Sequence, residues 1–184
     1  MVDAQDDPAL LLRDFVNTLN VEDAADEFAT PAALAGWLAG RRLVPAGATA
    51  TDLDLATAVT LREGLREAWS AHHGPRPADL PADLPDDLED ALAALPLRLT
   101  LAGASPGLVP VDPSATPAAA LARLAAAIMN AVAAGTWPRL KVCQEDTCRW
   151  AFLDTSKNRS RTWCSMSVCG NRTKTRAYRA RRRN

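Results

Sequence analysis

The sequence is poor in aromatic residues, lysine and histidine, and it has no long hydrophobic run. Aromatic residues make up 5% of its 184 residues, so the core has to be packed mainly from leucine, alanine and valine in closely spaced helices. No apolar run approaches the ~18 residues that a membrane-spanning helix requires. The residues after Met1 are acidic and lack the apolar segment of a signal peptide. We therefore expect a cytoplasmic protein with no membrane partner.

Histidine occurs only at positions 72 and 73, at the predicted end of a helix. A catalytic zinc site usually combines histidine or carboxylate ligands with an open coordination position. No combination of a nucleophile with a nearby base can be recognised elsewhere in the sequence. We interpret His72 and His73 as an exposed helix end, and we expect no enzymatic activity.

Cysteine is also rare, but its four occurrences form two pairs of identical spacing. Cys143 and Cys148 enclose four residues, Cys164 and Cys169 enclose four more, and fifteen residues separate the pairs. Zn²⁺ prefers four tetrahedral ligands, and four thiolates close a structural site. Reduced cysteines in a cytoplasmic protein favour zinc over disulfides. We therefore predict one structural Zn²⁺ held by these four residues.

The net charge of −1 conceals a strong asymmetry along the chain. Residues 1–140 contain 9 Lys/Arg and 19 Asp/Glu, whereas residues 141–184 contain 12 and 3. Such a division indicates an acidic domain joined to a cationic module for an anionic partner. The change coincides with residues 136–138, where a proline interrupts the helical periodicity. We place the domain boundary there, with a first domain over 1–136 and a zinc finger over 137–184.

The first domain is predicted to be mainly helical with a small β-hairpin. Apolar residues recur at helical intervals, and threonine caps, N1 prolines and closing glycines mark several helix ends. The predicted helices cover residues 8–19, 31–40, 51–72, 86–94 and 117–134. The last of these is apolar almost all round, so it should form the buried centre. Residues 97–101 alternate with period two, which predicts a strand with a partner at 108–111.

The finger sequence predicts a knuckle at Cys143–Cys148, then a β-hairpin, then a helix entered at the last cysteine. Residues 150–154 alternate between large apolar and small or polar side chains and can pair with 161–163. Trp150 and Trp163 are expected to cover the metal. The fold class is therefore α+β and mainly helical: a helical N-terminal domain with a small β-hairpin, plus a C-terminal four-cysteine finger that resembles a treble clef.

The chain ends in a basic helix. At about 100° per residue, four arginines fall within roughly 60° of one another. This arginine ridge consists of Arg172, Arg176, Arg179 and Arg183. A neighbouring face of small residues, Thr173, Ala177 and Ala180, is suited to packing on the finger. The alternative is a solvated tail whose cations complement the end of the helix.

The predicted nucleic-acid contacts extend beyond the ridge. They include Lys174 on the same helix and three cations of the preceding loop, Lys157, Arg159 and Arg161. Such residues contact phosphates, and arginine or lysine can also recognise guanine in the major groove.

The cysteine-rich segment resembles the CGNR zinc-finger family. The tetrapeptide Cys169–Arg172 that gives the family its name is intact, and residues 149–164 carry the accompanying Arg-Trp, Asp-Thr-Ser and Trp-Cys positions. Upstream, the Asp-Phe-Val-Asn-Thr run at 14–18, followed by Leu34 and Trp37-Leu38, resembles the ABATE-type N-terminal domain. The resemblance spans nearly the whole chain. It implies a bacterial, stress-linked transcription regulator whose four cysteines hold zinc and whose finger binds DNA.

The resemblance also implies an N-terminal domain that senses an unidentified small molecule. The polar residues Asp14, Asn17 and Thr18 admit two interpretations: they line a ligand pocket, or they hydrogen-bond loop backbone and hold the first helix. We favour the second interpretation.

Three hypotheses about function remain open. The leading one is a regulator that binds double-stranded DNA, with homodimerisation through the N-terminal domain because a lone finger offers few base contacts. An RNA-binding or ribosome-associated module is the second, although the sequence lacks an obvious aromatic strip for stacking single-stranded bases. A protein-interaction adaptor, whose cationic finger docks on an acidic surface such as its own N-terminal domain, is the third. The domain division predicts that chelation unfolds residues 141–184 and leaves the helical domain folded.

Overall fold

The computed structural model describes residues 7–73, 86–102 and 106–183, with the side chain of the final arginine outside that description. These ranges contain six α-helices: α1 (Pro8–Val16), α2 (Pro31–Gly40), α3 (Asp52–Ser70), α4 (Leu88–Ala93), α5 (Pro117–Ala133) and α6 (Asn171–Arg183). They also contain three two-stranded antiparallel sheets: β1 (Leu19–Asn20) with β2 (Ala25–Asp26), β3 (Leu97–Thr100) with β4 (Gly107–Pro110), and β5 (Leu140–Val142) with β6 (Ala151–Leu153). The mainly helical α+β class is confirmed.

Local chemistry sets most helix ends in the places that the sequence predicts. The side chains of Thr30, Thr51 and Thr116 accept hydrogen bonds from backbone amides in the first turns of α2, α3 and α5. Each of α1, α2 and α5 begins with a proline. Gly135 follows α5 in the left-handed region, with φ of 68°, which a glycine adopts without strain.

The first helix is shorter than predicted and ends at Val16 instead of residue 19. The Thr18 hydroxyl donates to the carbonyl of Phe15 at 2.8 Å, a local bond that competes with helical pairing. The chain then enters the β1–β2 hairpin, which the sequence analysis did not predict.

The main core lies where α1, α2, α3 and α5 pack together. As predicted, α5 is central: it contacts all three of the other helices and strand β4. One of its faces remains open, since Met129 and Val132 are about half exposed. None of the described helices is long and apolar enough to cross a membrane.

Strand β6 pairs with β5 and not with residues 161–163, so the predicted hairpin partner was wrong. The register places Lys141 opposite Phe152. Leu140, Val142 and Ala151 enter the main core, and burying them selects this pairing. The expected partner segment lies beside the knuckle instead, where the Gln144 amide donates to the Thr162 carbonyl at 3.2 Å.

The core therefore continues across the predicted boundary between residues 136 and 137. Strand β5 packs on α3, and β6 packs on α1. The first domain and the finger therefore share apolar contacts. Their independent unfolding stays a prediction.

Candidate metal centre

The four cysteines converge, with all four Sγ atoms within 4.8 Å of one another. The Cys164 Sγ atom lies 3.7 Å from those of both Cys148 and Cys169. A tetrahedron with Zn–S bonds of about 2.3 Å has edges of about 3.8 Å. The cluster is therefore spaced as a zinc tetrathiolate, and it is the site of one structural zinc ion.

Three of the cysteines are buried and Cys164 is half-buried. Burial and the neighbouring cysteines raise the pKa of Cys164, and the pKa of Cys169 rises to about 12 mainly through burial. Zinc has to displace these protons, so its affinity falls as the pH is lowered.

The metal cluster is covered by Phe152 and Trp163, which pack against the cysteines. Trp163 was predicted to do so, but Trp150 lies at the surface and is 37% exposed. Trp150 directly precedes β6 and lies outside the strand, so the expected alternation from residue 150 does not fix its side chain.

The Cys-Gly-Asn-Arg turn holds α6 close to the metal. A Cβ on Gly170 would lie 2.5 Å from the Met166 sulfur and 3.3 Å from the Trp163 ring, so a larger residue here would require the Met166 side chain to move. The Asn171 amide donates to the Ser167 carbonyl at 3.0 Å. Arg172 donates to the Thr147 hydroxyl in the knuckle at 3.2 Å.

A buried carboxylate in the knuckle, Glu145, fixes the first turns of α6. It accepts hydrogen bonds from Thr173 at 2.9 Å, Arg176 at 2.6 Å and Thr147 at 3.2 Å. Burial alone would raise the pKa of Glu145, but the bonds from Thr173 and Arg176 outweigh it and lower the pKa. Glu145 was not predicted as a site residue, although it lies between two zinc ligands in the sequence.

Beyond its first turns, α6 projects into solvent. Thr173 packs on the finger as predicted, but Ala177 and Ala180 are exposed, so two thirds of the predicted docking face was wrong. Lys174 and Arg179 are exposed, and the side chain of Arg183 lies outside the described residues.

The acidic domain contacts the cationic finger through ion pairs. Arg172 in the arginine ridge donates to Glu22, in the β1–β2 turn, at 2.8 Å. Arg149 pairs with Glu67 on α3 at 3.1 Å. Both pairs are partly exposed, so each contributes roughly 0–1 kcal/mol. Two members of the ridge, Arg172 and Arg176, thus already have carboxylate partners.

The loop between β6 and Cys164 is organised by a buried ion pair. Lys141 Nζ donates to Asp154 Oδ2 at 2.8 Å, and both side chains are almost fully buried. Asp154 also accepts hydrogen bonds from the amide and hydroxyl of Ser156 and from the Arg161 amide. This network holds the loop on which the predicted nucleic-acid contacts lie.

The three predicted loop cations differ in their surroundings. Lys157 and Arg159 are exposed. Arg161 is also exposed, but it donates to the carbonyls of Trp163 and Cys164 and lies over the Phe152 ring at 4.9 Å. It therefore supports the backbone at the third zinc ligand.

Acid is expected to weaken the Asp154 network. Burial would raise the pKa of Asp154, but the hydrogen bonds from Lys141 and Ser156 outweigh it and lower the pKa from 3.8 to about 2. Because this pKa is lowered, the ionised carboxylate stabilises the folded protein by about 2.5 kcal/mol above about pH 4. This stabilisation is lost as the pH falls through about 2.

The measurement is urea unfolding of the wild type and Asp154→Asn between pH 2 and 6. Loss of zinc in acid affects both proteins, so the comparison isolates the carboxylate. We expect the difference between their free energies of unfolding to shrink by about 2.5 kcal/mol toward pH 2. A difference independent of pH would contradict the assignment.

The predicted ligand residues lie where α1 meets β6, and two of them are engaged in internal bonds. The Asn17 amide group donates to the Ala151 carbonyl at 2.9 Å and accepts from the Ala151 amide at 2.8 Å. Thr18 is buried and accepts from Arg62 at 3.3 Å. Asp14 pairs with Arg13 and Arg41 and lines an open cleft.

Replacing Asn17 by alanine is expected to destabilise the protein by about 2–4 kcal/mol. The exchange leaves the buried amide and carbonyl of Ala151 without partners, and each unsatisfied group costs about 1–3 kcal/mol. Chemical denaturation in the absence of any ligand measures the loss. Asn130→Ala on the exposed side of α5 is the matched control and should be nearly neutral. Equal stability of the two variants would rule out the structural role.

Two buried arginines of α3 were missed by the sequence analysis. Arg66 donates to the carbonyls of Val16 at 2.7 Å and Arg149 at 2.9 Å, which joins α1, α3 and the finger. Arg62 forms a bidentate ion pair with Asp26 in β2, with one hydrogen bond to each carboxylate oxygen. Their spacing places them on the same stripe as Trp69, and this was the available sequence signal.

The two histidines are not an exposed helix end, so that interpretation was wrong. His72 is buried and its Nδ1 donates to the Leu140 carbonyl at 2.7 Å. His73 Nε2 donates to the Val142 carbonyl at 2.6 Å. Burial lowers the pKa of both residues. Both histidines donate hydrogen bonds to backbone carbonyls of strand β5 where it meets α3. These partners lie about 70 residues further along the chain, so the sequence around the histidines does not indicate them.

Together, the tetrathiolate cluster and the glycine turn beside it define a zinc finger of the CGNR class. The CGNR zinc finger family model matches residues 139–182. The ABATE family model, described as "Putative stress-induced transcription regulator", matches residues 9–147. Because this match covers most of the chain, the protein belongs to the ABATE family. A search of curated proteins found no match.

Proposed function

We propose that the protein is a non-catalytic transcription regulator that binds double-stranded DNA through α6, with a small ligand sensed by the N-terminal domain. The observation that carries the DNA proposal is the placement of α6. Zinc and Glu145 fix its first turns, and the rest of the helix extends into solvent. All four coordination positions of the zinc are filled by thiolates, which supports a structural metal and not a catalytic one.

The projecting part of α6 has suitable dimensions and charge for a DNA groove. An α-helix with its side chains is about 10–12 Å across, and the major groove is about 12 Å wide. Its exposed cations include Lys174, Arg179, Arg181 and Arg182. These side chains supply phosphate contacts, which dominate affinity for nucleic acids.

The test is a binding titration with labelled duplex DNA, single-stranded RNA and an RNA hairpin at one fixed salt concentration. We expect the duplex to bind most tightly. The triple variant Lys174→Gln, Arg179→Gln, Arg181→Gln should lose about three phosphate contacts and flatten the dependence of log K on log salt by about 2.7. Arg98→Gln on the exposed part of β3 removes one positive charge away from α6 and is the control for each of the three exchanges made singly. Preference for RNA supports the ribosome-associated alternative, and absence of nucleic-acid binding supports the adaptor.

Neutralising Glu22 is expected to strengthen DNA binding about two- to fivefold. Glu22→Gln releases Arg172 from its ion pair and removes a negative charge from the edge of the proposed interface. The gain is limited because a partly exposed pair contributes less than about 1 kcal/mol. Fluorescence anisotropy at low salt measures the change. Glu89→Gln, which makes the same charge change on α4, should bind as the wild type does; an equal gain in both variants would show that only net charge matters.

A further inference from the structure

An open cleft of about 590 Å³ lies at the junction of the N-terminal domain and the finger. Arg13 and Asp14 on α1 and Arg41 after α2 line one side, while Trp150, Phe152 and Arg161 line the other. Its volume is within the range that binds small organic molecules, and such sites often form between domains.

One part of the cleft, at Arg41, favours an anion. The described lining residues include three arginines, Arg13, Arg41 and Arg161, and two carboxylates, Asp14 and Glu27. Arg161 is bonded beside the zinc tetrathiolate and offsets part of its negative charge. Asp14 is shared between two arginines, so it is already neutralised. Guanidinium groups bind carboxylates and phosphates through parallel hydrogen bonds.

The donors of Arg41 are the best placed for such a ligand. Its Nη1 atom donates to Asp14 at 3.0 Å, and its guanidinium group lies over the Trp37 ring at 4.7 Å, which holds it in position. Among the contacts of the described residues, its Nε and Nη2 atoms make no hydrogen bond. An incoming anion can accept hydrogen bonds from these two atoms while Arg41 stays paired with Asp14.

The opposite wall is apolar and aromatic. Trp150 is 37% exposed at the cleft, although a large aromatic side chain of a small domain would ordinarily be buried. Phe152 and Leu153 continue this wall along β6. A planar ring can pack here while a charged group on it reaches the arginines.

We propose that this cleft binds a small aromatic anion, a carboxylate or a phosphate ester, which contacts α1 and β6 at once. The inference rests on the proposed function in one respect only: it identifies the class of the sensed ligand and places its site against the finger. Because Cys164 also lines the cleft, a bound anion lies beside the segment that leads into α6. The ligand therefore stabilises the arrangement of α1 against the finger.

The experiment is an NMR titration of the zinc-loaded full chain with benzoate and with phenyl phosphate. Trp150→Phe identifies the indole resonance of Trp150. We expect saturable shifts of that resonance and of the Ala151 amide with at least one anion, and weaker or absent shifts with benzamide, the neutral isostere of benzoate. The anion that binds more tightly identifies the preferred charged group.

Matched variants assign the binding to the cleft. Arg41→Gln should weaken binding about tenfold or more, because it removes charge-assisted hydrogen bonds. Arg42→Gln makes the same charge change at the adjacent, exposed residue outside the cleft lining and should have no effect. If Arg41→Gln lowers the melting temperature, Arg13→Gln replaces it as the test variant.

Three results would overturn the proposal: no shift at Trp150 with either anion, equal binding of benzamide, or equal binding by the Arg41 and Arg42 variants. The titrations contain no DNA. A failure of DNA binding therefore leaves this result unchanged, and a failure here leaves the DNA measurements unchanged.

Discussion

Removing zinc is expected to abolish the structure of α6 and of the knuckle. The finger's own core consists of the four cysteines with Phe152 and Trp163, and it cannot persist without the metal that joins them. An isolated, highly charged helix of 13 residues is marginal in water. Structural zinc contributes about 10–16 kcal/mol in finger peptides, which is comparable with the whole stability of a domain.

Far-UV circular dichroism and amide hydrogen exchange during chelation measure this effect. The helical signal of α6 should disappear, and Cys164→Ser should reproduce the loss while Ser160→Ala, at an exposed position of the preceding loop, does not. We expect the amides of β5 to remain protected, since Leu140 and Val142 belong to the main core. Unfolding of the whole chain in one transition would contradict the division into two domains, and an unchanged α6 would contradict the role of zinc.

Breaking the buried ion pair is the second large effect. Asp154→Asn leaves the Lys141 ammonium group buried without its counter-ion, and removing one partner of such a pair costs about 3–5 kcal/mol. The loss should appear as a lower urea midpoint near pH 7. The exchange should also loosen the loop between β6 and Cys164, because the Arg161 amide in that loop donates to the Asp154 carboxylate.

The control for this prediction removes both charges. The double variant Lys141→Met, Asp154→Leu replaces the pair by apolar groups and should be less destabilised than the single variant. A double variant that is less stable than Asp154→Asn would show that the loop depends on other bonds of Asp154 more than on the pair.

The metal site could be predicted because its evidence is local in the sequence. Ligand type and the spacing of Cys143, Cys148, Cys164 and Cys169 are sufficient to indicate a tetrathiolate. Helix ends were predictable for the same reason, since Thr116 and Gly135 act within a few residues.

The pairing of β6 could not be predicted in this way. Its correct partner has only three residues and includes the buried Lys141, which breaks the expected apolar pattern. Burial of Leu140 in a core built by distant helices decides the pairing, and spacing along the chain does not contain that information.

Buried polar residues were missed for a related reason. Arg66 and His72 are satisfied by backbone carbonyls far along the chain, at Arg149 and Leu140. Likewise, the spacing on α6 predicts an arginine ridge but not the carboxylates of Glu22 and Glu145 that bind two of its members.

The central claim is that zinc holds α6 in place as a cationic DNA-binding helix, and a salt titration of duplex binding tests it most directly. With about four phosphate contacts, log K should fall with log salt at a slope of about −3.6 for the zinc-loaded protein. The chelated protein should bind more weakly at every salt concentration. Binding that does not depend on salt, or that is equal with and without zinc, would contradict the account.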